Sequence, residues 1–156
     1  MSPGIRRRGR ELALKIIYSL KDQSVPIGAI LDDFWQNFRF QEDVLGDPHD
    51  DFDTPVPEDV RKFAEDIAIG VDAHCAEIDR TISECSTNWS LERMARVDLA
   101  LLRLATFELL YRPEVPTNVV INEAVEIGKR YGTLETSAFV NGILDKVSRT
   151  CRRQAP

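Results

Sequence analysis

The sequence lacks the residues and motifs on which most catalytic sites depend. Its 156 residues include two histidines and three cysteines. Neither glycine-rich phosphate-binding pattern, G-x-x-x-x-G-K-[ST] or G-x-G-x-x-G, occurs in the chain. Serine and cysteine nucleophiles have no evident partner base. These absences favour a protein that is not an enzyme.

Long apolar runs are also missing. Arg103 and Glu108 interrupt the most apolar stretch, so no segment reaches the roughly 20 apolar residues of a membrane helix. The basic residues 1–10 are not followed by the apolar core and cleavage site of a signal peptide. The odd number and wide spacing of the cysteines indicate reduced thiols. A cytoplasmic protein is expected.

The sequence offers little for a metal ion. His74 lies on an apolar helical stripe without a second ligand at a suitable spacing, which favours a structural histidine. The acidic stretch that begins in a loop at about 41–57 contains Asp51, Asp53 and Glu58. It lacks the glycine of a calcium loop, and two prolines interrupt it. A solvated loop is the better interpretation, and no cofactor or metal is expected.

The chain does have helical periodicity. Apolar residues recur at spacings of three and four almost throughout, which predicts an all-α protein of six or seven helices. The segment at 90–111 is apolar almost all round, so this helix is expected to be central. The predicted helices cover about 7–22, 27–39, 58–85 (one helix, or two that meet near Gly70), 90–111, 117–131 and 135–149, before a frayed tail at 151–156.

Charge is unevenly distributed around a net value of −6. Residues 1–21 and 128–153 are basic, whereas the middle of the chain is acidic. If the two basic ends meet, they form a positive patch on an acidic molecule. Arginines at a helix start oppose the helix dipole, so Arg6–Arg8 and Arg10 indicate an anionic ligand about as well as a solubilising tail.

The helical wheel places an aromatic ring beside these cations. Tyr18 lies almost opposite the apolar stripe of the first helix and shares its face with Lys15, Glu11 and Arg7. An exposed ring beside cations suits stacking on an unpaired base. The alternative is that Tyr18 packs under a neighbouring loop.

A second group of cations and aromatic rings lies near the other end. Lys129, Arg130 and Tyr131 end one predicted helix, and Phe139 begins the next, with Lys146 on its flank. Both rings also fit the apolar seams of their helices. Core packing and ligand contact are therefore about equally favoured for them.

These residues resemble a known family. The run Arg6–Ala13 followed by Tyr18-Ser19 is similar to the start of the NusB transcription antitermination family. The later matching segments are Arg103–Leu109, Val115-Pro116, Ile121–Glu126, Lys129–Gly132 and Phe139–Asp145. Together they span nearly the whole chain outside the loop at about 41–57.

The resemblance implies an all-α fold of two three-helix sub-bundles, assigned here to residues 1–88 and 89–150. It implies binding to single-stranded boxA RNA, together with the small-subunit ribosomal protein NusE, in an RNA polymerase antitermination complex. Asp98 and Glu135 are the expected partner contacts. The expected RNA contacts are Arg6, Arg7, Arg8, Arg10, Lys15, Tyr18, Lys129, Tyr131 and Phe139.

Two other functions are consistent with parts of the sequence. NusB-like domains also occur fused to RNA methyltransferases, but this chain has no glycine-rich loop and no room for a methyl-donor domain. A helical adaptor that binds only proteins would suit the net charge of −6. The adaptor predicts that charge reversal at Arg6–Arg8 has no effect on function.

Overall fold

The fold is helical wherever the computed structural model describes the chain, which is over residues 3–20, 25–37 and 56–152. No strand occurs within these ranges, and the predicted all-α fold is confirmed. Most of the predicted loop at about 41–57, including His49, and the last four residues lie outside them. The helices are α1 (Pro3–Tyr18), α2 (Ile27–Asn37), α3 (Glu58–Ala73), α4 (Cys75–Cys85), α5 (Arg96–Tyr111), α6 (Thr117–Tyr131) and α7 (Thr136–Cys151), with a 3-10 turn at Leu91–Arg93.

The chain forms two compact units, residues 1–72 and 73–156. The first contains α1, α2 and nearly all of α3, and the second contains α4 to α7. The sequence had placed the boundary at 88/89 and therefore α4 in the N-terminal sub-bundle. Instead, α4 packs against α5 and α7. Asp79 of α4 forms an ion pair with Arg103 of α5 (Nε to Oδ1, 2.8 Å), which helps to fix this position.

In the first unit, the Phe63 side chain of α3 packs against the α1 backbone at Gly9. A Cβ atom added to Gly9 would lie 2.4 Å from Cδ1 of Phe63, so the α1 backbone and the Phe63 ring pack together only because residue 9 has no side chain. Trp35 of α2 donates its indole N–H to Glu65 of α3 (3.2 Å), and the Arg61 guanidinium lies 5.0 Å from the Trp35 ring centroid. These contacts join α2 to α3.

In the second unit, α5 is the central helix, as predicted. Every residue from Ala100 to Leu109 is buried except Arg103, which is half-buried. Three helices, α4, α6 and α7, pack around α5. The apolar character of α5 on all sides is therefore explained by its position, because between Ala100 and Leu109 only Arg103 reaches solvent.

The end of α7 corrects the prediction of a frayed tail at its first two positions, 151 and 152. Cys151 is still helical, and the Arg152 side chain closes the end of α5. Its guanidinium donates to backbone oxygens of Leu109 (3.0 Å), Val115 (2.6 Å), Glu108 (3.1 Å) and Arg112 (2.9 Å), and to Thr117 Oγ1 (3.2 Å). The last carbonyls of a helix have no partners within it, so these bonds hold Arg152 in place.

Candidate nucleic-acid interface

The N-terminal arginines lie within α1, which begins four residues before its predicted start. Burial increases steeply along them: Arg6 is exposed, Arg7 and Arg8 are half-buried, and Arg10 is 2% exposed. The Arg10 guanidinium lies 5.6 Å from the ring centroid of Phe63 on α3, within the roughly 6 Å range of a cation–π contact. Arg10 thus packs inside the protein, and Arg6 to Arg8 remain accessible to a ligand.

The predicted exposed polar face of α1 is wrong for two of its members. Lys15 is 0% and Glu11 5% exposed, and every residue from Gly9 to Ile17 is buried. A helical wheel identifies the solvent side only when a helix is covered on one side, and this part of α1 is covered all round. Tyr18 follows the covered segment and is half-buried, so part of its ring is accessible.

The accessible groups of α1 lie at its two ends. Arg6 and Tyr18 are twelve positions apart in one helix, which places their backbones roughly 18 Å apart at a rise of about 1.5 Å per residue. A single nucleotide cannot contact both. A ligand that uses both ends of α1 must therefore be an extended chain.

The cations at the end of α6 are exposed at the surface of the second unit. Lys129 and Arg130 are exposed and Tyr131 is half-buried. The Lys129 ammonium forms an ion pair with Glu126 (Nζ to Oε1, 3.0 Å), and the Arg130 guanidinium lies 5.2 Å from the Tyr131 ring centroid. The ion pair is at the surface, where it contributes little stability, so it does not prevent Lys129 from contacting an anion.

The two expected partner contacts, Asp98 and Glu135, lie close to each other. Thr136, which is fully buried, donates its hydroxyl to Asp98 Oδ1 (2.8 Å) and accepts the backbone N–H of Thr133 (3.0 Å). Glu135 precedes Thr136 and is exposed at the start of α7. Asp98 thus has a structural contact with the α6–α7 connection, beside the freely accessible carboxylate of Glu135.

Gly132 ends α6, as predicted, but its backbone conformation is not the reason. Its φ of −99° is accessible to any residue. A Cβ atom at this position would lie 2.3 Å from Thr136 Oγ1. Glycine is required here because the Thr136 side chain needs the space to reach Asp98.

The structure adds one aromatic residue that the sequence analysis did not single out. Phe139 is half-buried, and its ring makes an edge-to-face contact with Trp89 (centroids 5.9 Å apart, planes at 83°). Trp89 is 51% exposed. The signal for it was a tryptophan in the polar stretch 86–90, since a large apolar residue in such a segment is a candidate for ligand contact.

The remaining polar groups support structural roles. The His74 ring stacks on Tyr111 (centroids 4.1 Å apart), and burial raises the pKa of the Cys151 thiol, which disfavours the reactive thiolate. In the described part of the chain, no three His, Cys, Asp or Glu side chains lie close enough to hold a metal ion. None of the helices there is both long and apolar enough to span a membrane.

The fold and the accessible cations and aromatic rings define a small helical binding protein. Comparison with known sequences gives its family: the profile of the NusB family matches residues 7–149. The "Transcription antitermination protein NusB" of Syntrophotalea carbinolica is 62% identical over 152 residues, 97% of each chain. That of Geobacter sulfurreducens is 46% identical over 147 residues, 94% of this chain and 96% of the relative. The chain belongs to the NusB family.

Solved structures agree with this assignment. NusB from T. maritima superposes with a TM-score of 0.75 at 31% identity, covering 100% of this chain and 95% of that one. A crystal structure of antitermination factors NusB and NusE in complex with dsRNA gives a TM-score of 0.75 at 19% identity, with 96% and 99% covered. Because its sequence identity is only 19%, this second structure shows a similar fold and nothing more.

Proposed function

We propose that this protein is a non-catalytic transcription antitermination factor of the cytoplasm, which binds single-stranded boxA RNA in nascent ribosomal transcripts as a heterodimer with the ribosomal protein NusE. The observation that carries this proposal is the 62% identity to a transcription antitermination protein over 97% of both chains. The fold relative that contains NusB, NusE and dsRNA supports the choice of NusE as partner and of RNA as ligand, and the single-stranded form is part of the proposal.

The accessible groups suit RNA better than they suit a small anion. Arg6, Arg7 and Arg8 provide positive charge at the start of α1, and Tyr18 provides a ring at its other end. Phosphates attract the first group and bases stack on the second. In the second unit we assign RNA contacts to Lys129, Tyr131 and Phe139. The buried Arg10 and Lys15 are left out, because a ligand could not reach them without opening the fold.

The acidic net charge of −6 gives NusE a physical role in this proposal. Long-range repulsion between an acidic protein and RNA lowers affinity, and a partner that binds beside the RNA offsets this cost. The exposed Glu135 and the neighbouring Asp98 lie where a basic surface of such a partner could dock. The heterodimer is therefore expected to bind RNA more tightly than the chain alone.

The proposal is tested by fluorescence anisotropy with a labelled boxA RNA, with and without NusE. We expect binding that NusE strengthens and that falls as a power of salt concentration, with a slope of about −0.7 per phosphate contacted on a single strand. An RNA duplex of the same sequence should compete poorly. Binding of NusE without any binding of RNA, alone or in the heterodimer, would instead establish a protein-only adaptor.

Tyr18 provides the sharpest single-residue test. Tyr18→Ala should weaken RNA binding by about tenfold, because base stacking contributes roughly 1–3 kcal/mol per base. Tyr18→Phe keeps the ring and should stay close to the unmodified protein. If both variants fold, as judged by circular dichroism, and bind RNA as tightly as the unmodified protein does, Tyr18 has no stacking role.

A further inference from the structure

A concavity of about 250 Å³ lies beside the exposed Trp89, in the second unit. It is slightly smaller than the roughly 300–1,000 Å³ of pockets that enclose drug-sized ligands, and it therefore suits one planar ring. Residues 85–89 form one side of it, and one face of α7 forms the other. The α7 residues are Ala138, Phe139, Gly142, Ile143 and Lys146.

The position of Trp89 is fixed by its own turn. The Trp89 backbone N–H donates to the Ser86 carbonyl (3.0 Å). The Ser86 hydroxyl donates to the Ile82 carbonyl (2.8 Å) and lies 3.3 Å from the Trp89 carbonyl oxygen. Ser86 itself is buried. The turn thus holds the Trp89 backbone, and the edge-to-face contact with Phe139 restrains the exposed ring, which reduces the conformational freedom lost when a ligand binds.

The contact between Trp89 and Phe139 leaves space for the ring of a ligand. Because Trp89 and Phe139 meet edge to face, their contact uses the face of only one ring. Gly142 has no side chain, and nothing lies within 4 Å of the place where its Cβ would be, so the concavity is open on that side.

A cation lies next to the rings. Lys146 is exposed and lies seven positions after Phe139, which places both on the same face of α7. An exposed ammonium beside two aromatic rings is the arrangement expected for a nucleotide, whose base stacks while its phosphate pairs with the cation. A purely apolar side chain of a protein partner would have no use for Lys146.

We propose that Trp89, Phe139 and Lys146 form a binding slot for one unpaired nucleobase and its phosphate. The inference rests on the proposed function, since the base belongs to the single-stranded RNA. It adds Trp89 and Lys146 to the contact residues and gives Phe139 a defined part, which is the second wall of the slot. The exposed side chains of Thr87 and Asn88, at the rim, are placed to hydrogen-bond the edge of the base.

The fluorescence of Trp89 can show whether a ligand fills the slot. The chain has two tryptophans, so Trp35→Phe leaves Trp89 as the only indole, and RNA binding can be followed by its fluorescence. We expect boxA RNA to quench the Trp89 emission with the same Kd that anisotropy gives. Unchanged Trp89 emission during binding that anisotropy detects would overturn the slot and leave the proposed function standing. Absence of binding in both measurements would overturn both.

Substitutions test the two halves of the slot separately. Trp89→Ala should weaken RNA binding by about tenfold, and Trp89→Phe by much less, because the smaller ring still stacks. Lys146→Ala should reduce the steepness of the plot of log affinity against log salt concentration (the salt slope) by about 0.7. Its matched control is Arg149→Ala, one turn further along α7, which should leave the slope unchanged.

The partner measurement excludes a protein occupant. Trp89→Ala should bind NusE as the unmodified protein does. If this variant loses NusE binding while its RNA affinity is unchanged, the slot binds a protein side chain and the inference is wrong. Should Trp89→Ala fail to fold, the fluorescence of the Trp35→Phe protein decides the question alone.

Discussion

Helices α1 and α5 are both 16 residues long, and both are buried on all sides over much of their length. Their sequences could hardly differ more. The buried part of α5 is almost entirely apolar, whereas that of α1 includes Arg10, Glu11 and Lys15. An apolar sequence thus predicts burial well, but a charged sequence does not predict exposure, since a charged side chain is buried where the fold places and pairs it.

The two helices also differ in the role that an arginine has at one of their ends. The start of α1 presents the exposed Arg6 to solvent, while the end of α5 is closed by Arg152, whose donors all go to backbone oxygens and one threonine hydroxyl. The same residue type is available to a ligand in one place and holds the fold in the other.

Arg152→Ala should have the largest effect on stability. It removes five hydrogen bonds that a charged guanidinium donates to part-buried acceptors at and just beyond the end of α5. The Glu108 and Arg112 carbonyls keep their backbone donors, and the expected loss is about 3 kcal/mol. The measurement is the free energy of unfolding in urea. Arg149→Ala is the matched control: its ion pair with Asp145 is exposed, and its loss should cost below about 0.5 kcal/mol. Equal effects would contradict the structural role of Arg152.

Gly9→Ala should have the next largest effect. Its new Cβ would meet the Phe63 ring at 2.4 Å, and overpacking of this kind costs about 1–3 kcal/mol. The better helix propensity of alanine offsets about 1 kcal/mol, so a net loss of about 1 kcal/mol is expected. Gly4→Ala in the same helix has nothing within 4 Å and should be neutral or slightly stabilising. A stabilising Gly9→Ala would show that α1 and α3 pack less tightly.

The sequence predicted most of the fold, and the reasons are visible in individual helices. Spacing of three and four located all seven α-helices of the described residues, but it left open whether 58–85 is one helix or two and missed the 3-10 turn before α5. The apolar character of α5 predicted its central position. The association of α4 with the second unit was not predicted, because it depends on contacts such as the Asp79–Arg103 pair between distant positions. The order at Arg152 was missed for the same reason: its partners lie about 40 positions away.

The candidate site was predicted less completely. The sequence identified the arginines and Tyr18 as a group, but it could not separate the accessible Arg6 from the buried Arg10, since burial of α1 depends on what surrounds it. Trp89 was overlooked because no periodic pattern contains it. Its meeting with Phe139, 50 positions later, is a tertiary contact, and local spacing carries no information on such contacts.

Arg6 and Arg10 test directly whether the exposed arginines of α1 bind RNA while the buried one stabilises the fold. Arg6→Gln should lower RNA affinity several-fold and reduce the salt slope by about 0.7, with no change in stability, because it removes one exposed phosphate contact. Arg10→Gln should lower the free energy of unfolding by about 1 kcal/mol, since it removes a cation–π contact in the interior. Its salt slope should stay unchanged. Anisotropy at several salt concentrations and urea denaturation measure the two effects. A reduced slope for a folded Arg10→Gln would place Arg10 at the RNA.

The smallest expected effect concerns the tyrosine at the end of α5. The Tyr111 hydroxyl donates to the Glu77 carboxylate, and this hydrogen bond raises the pKa of Tyr111 above its ordinary value, with smaller contributions from desolvation and from the charge of Glu77. Because the pKa is raised in the folded state, the stabilisation is present below the ordinary tyrosine pKa and is lost as the pH rises through the raised value. Glu77→Gln keeps an acceptor but removes the charge, so the pKa of Tyr111 should fall towards its ordinary value. The measurement is the tyrosinate absorbance during a pH titration, with Tyr111→Phe identifying the contribution of this residue. If Glu77→Gln leaves that contribution at the same pH, the carboxylate does not hold the end of α5.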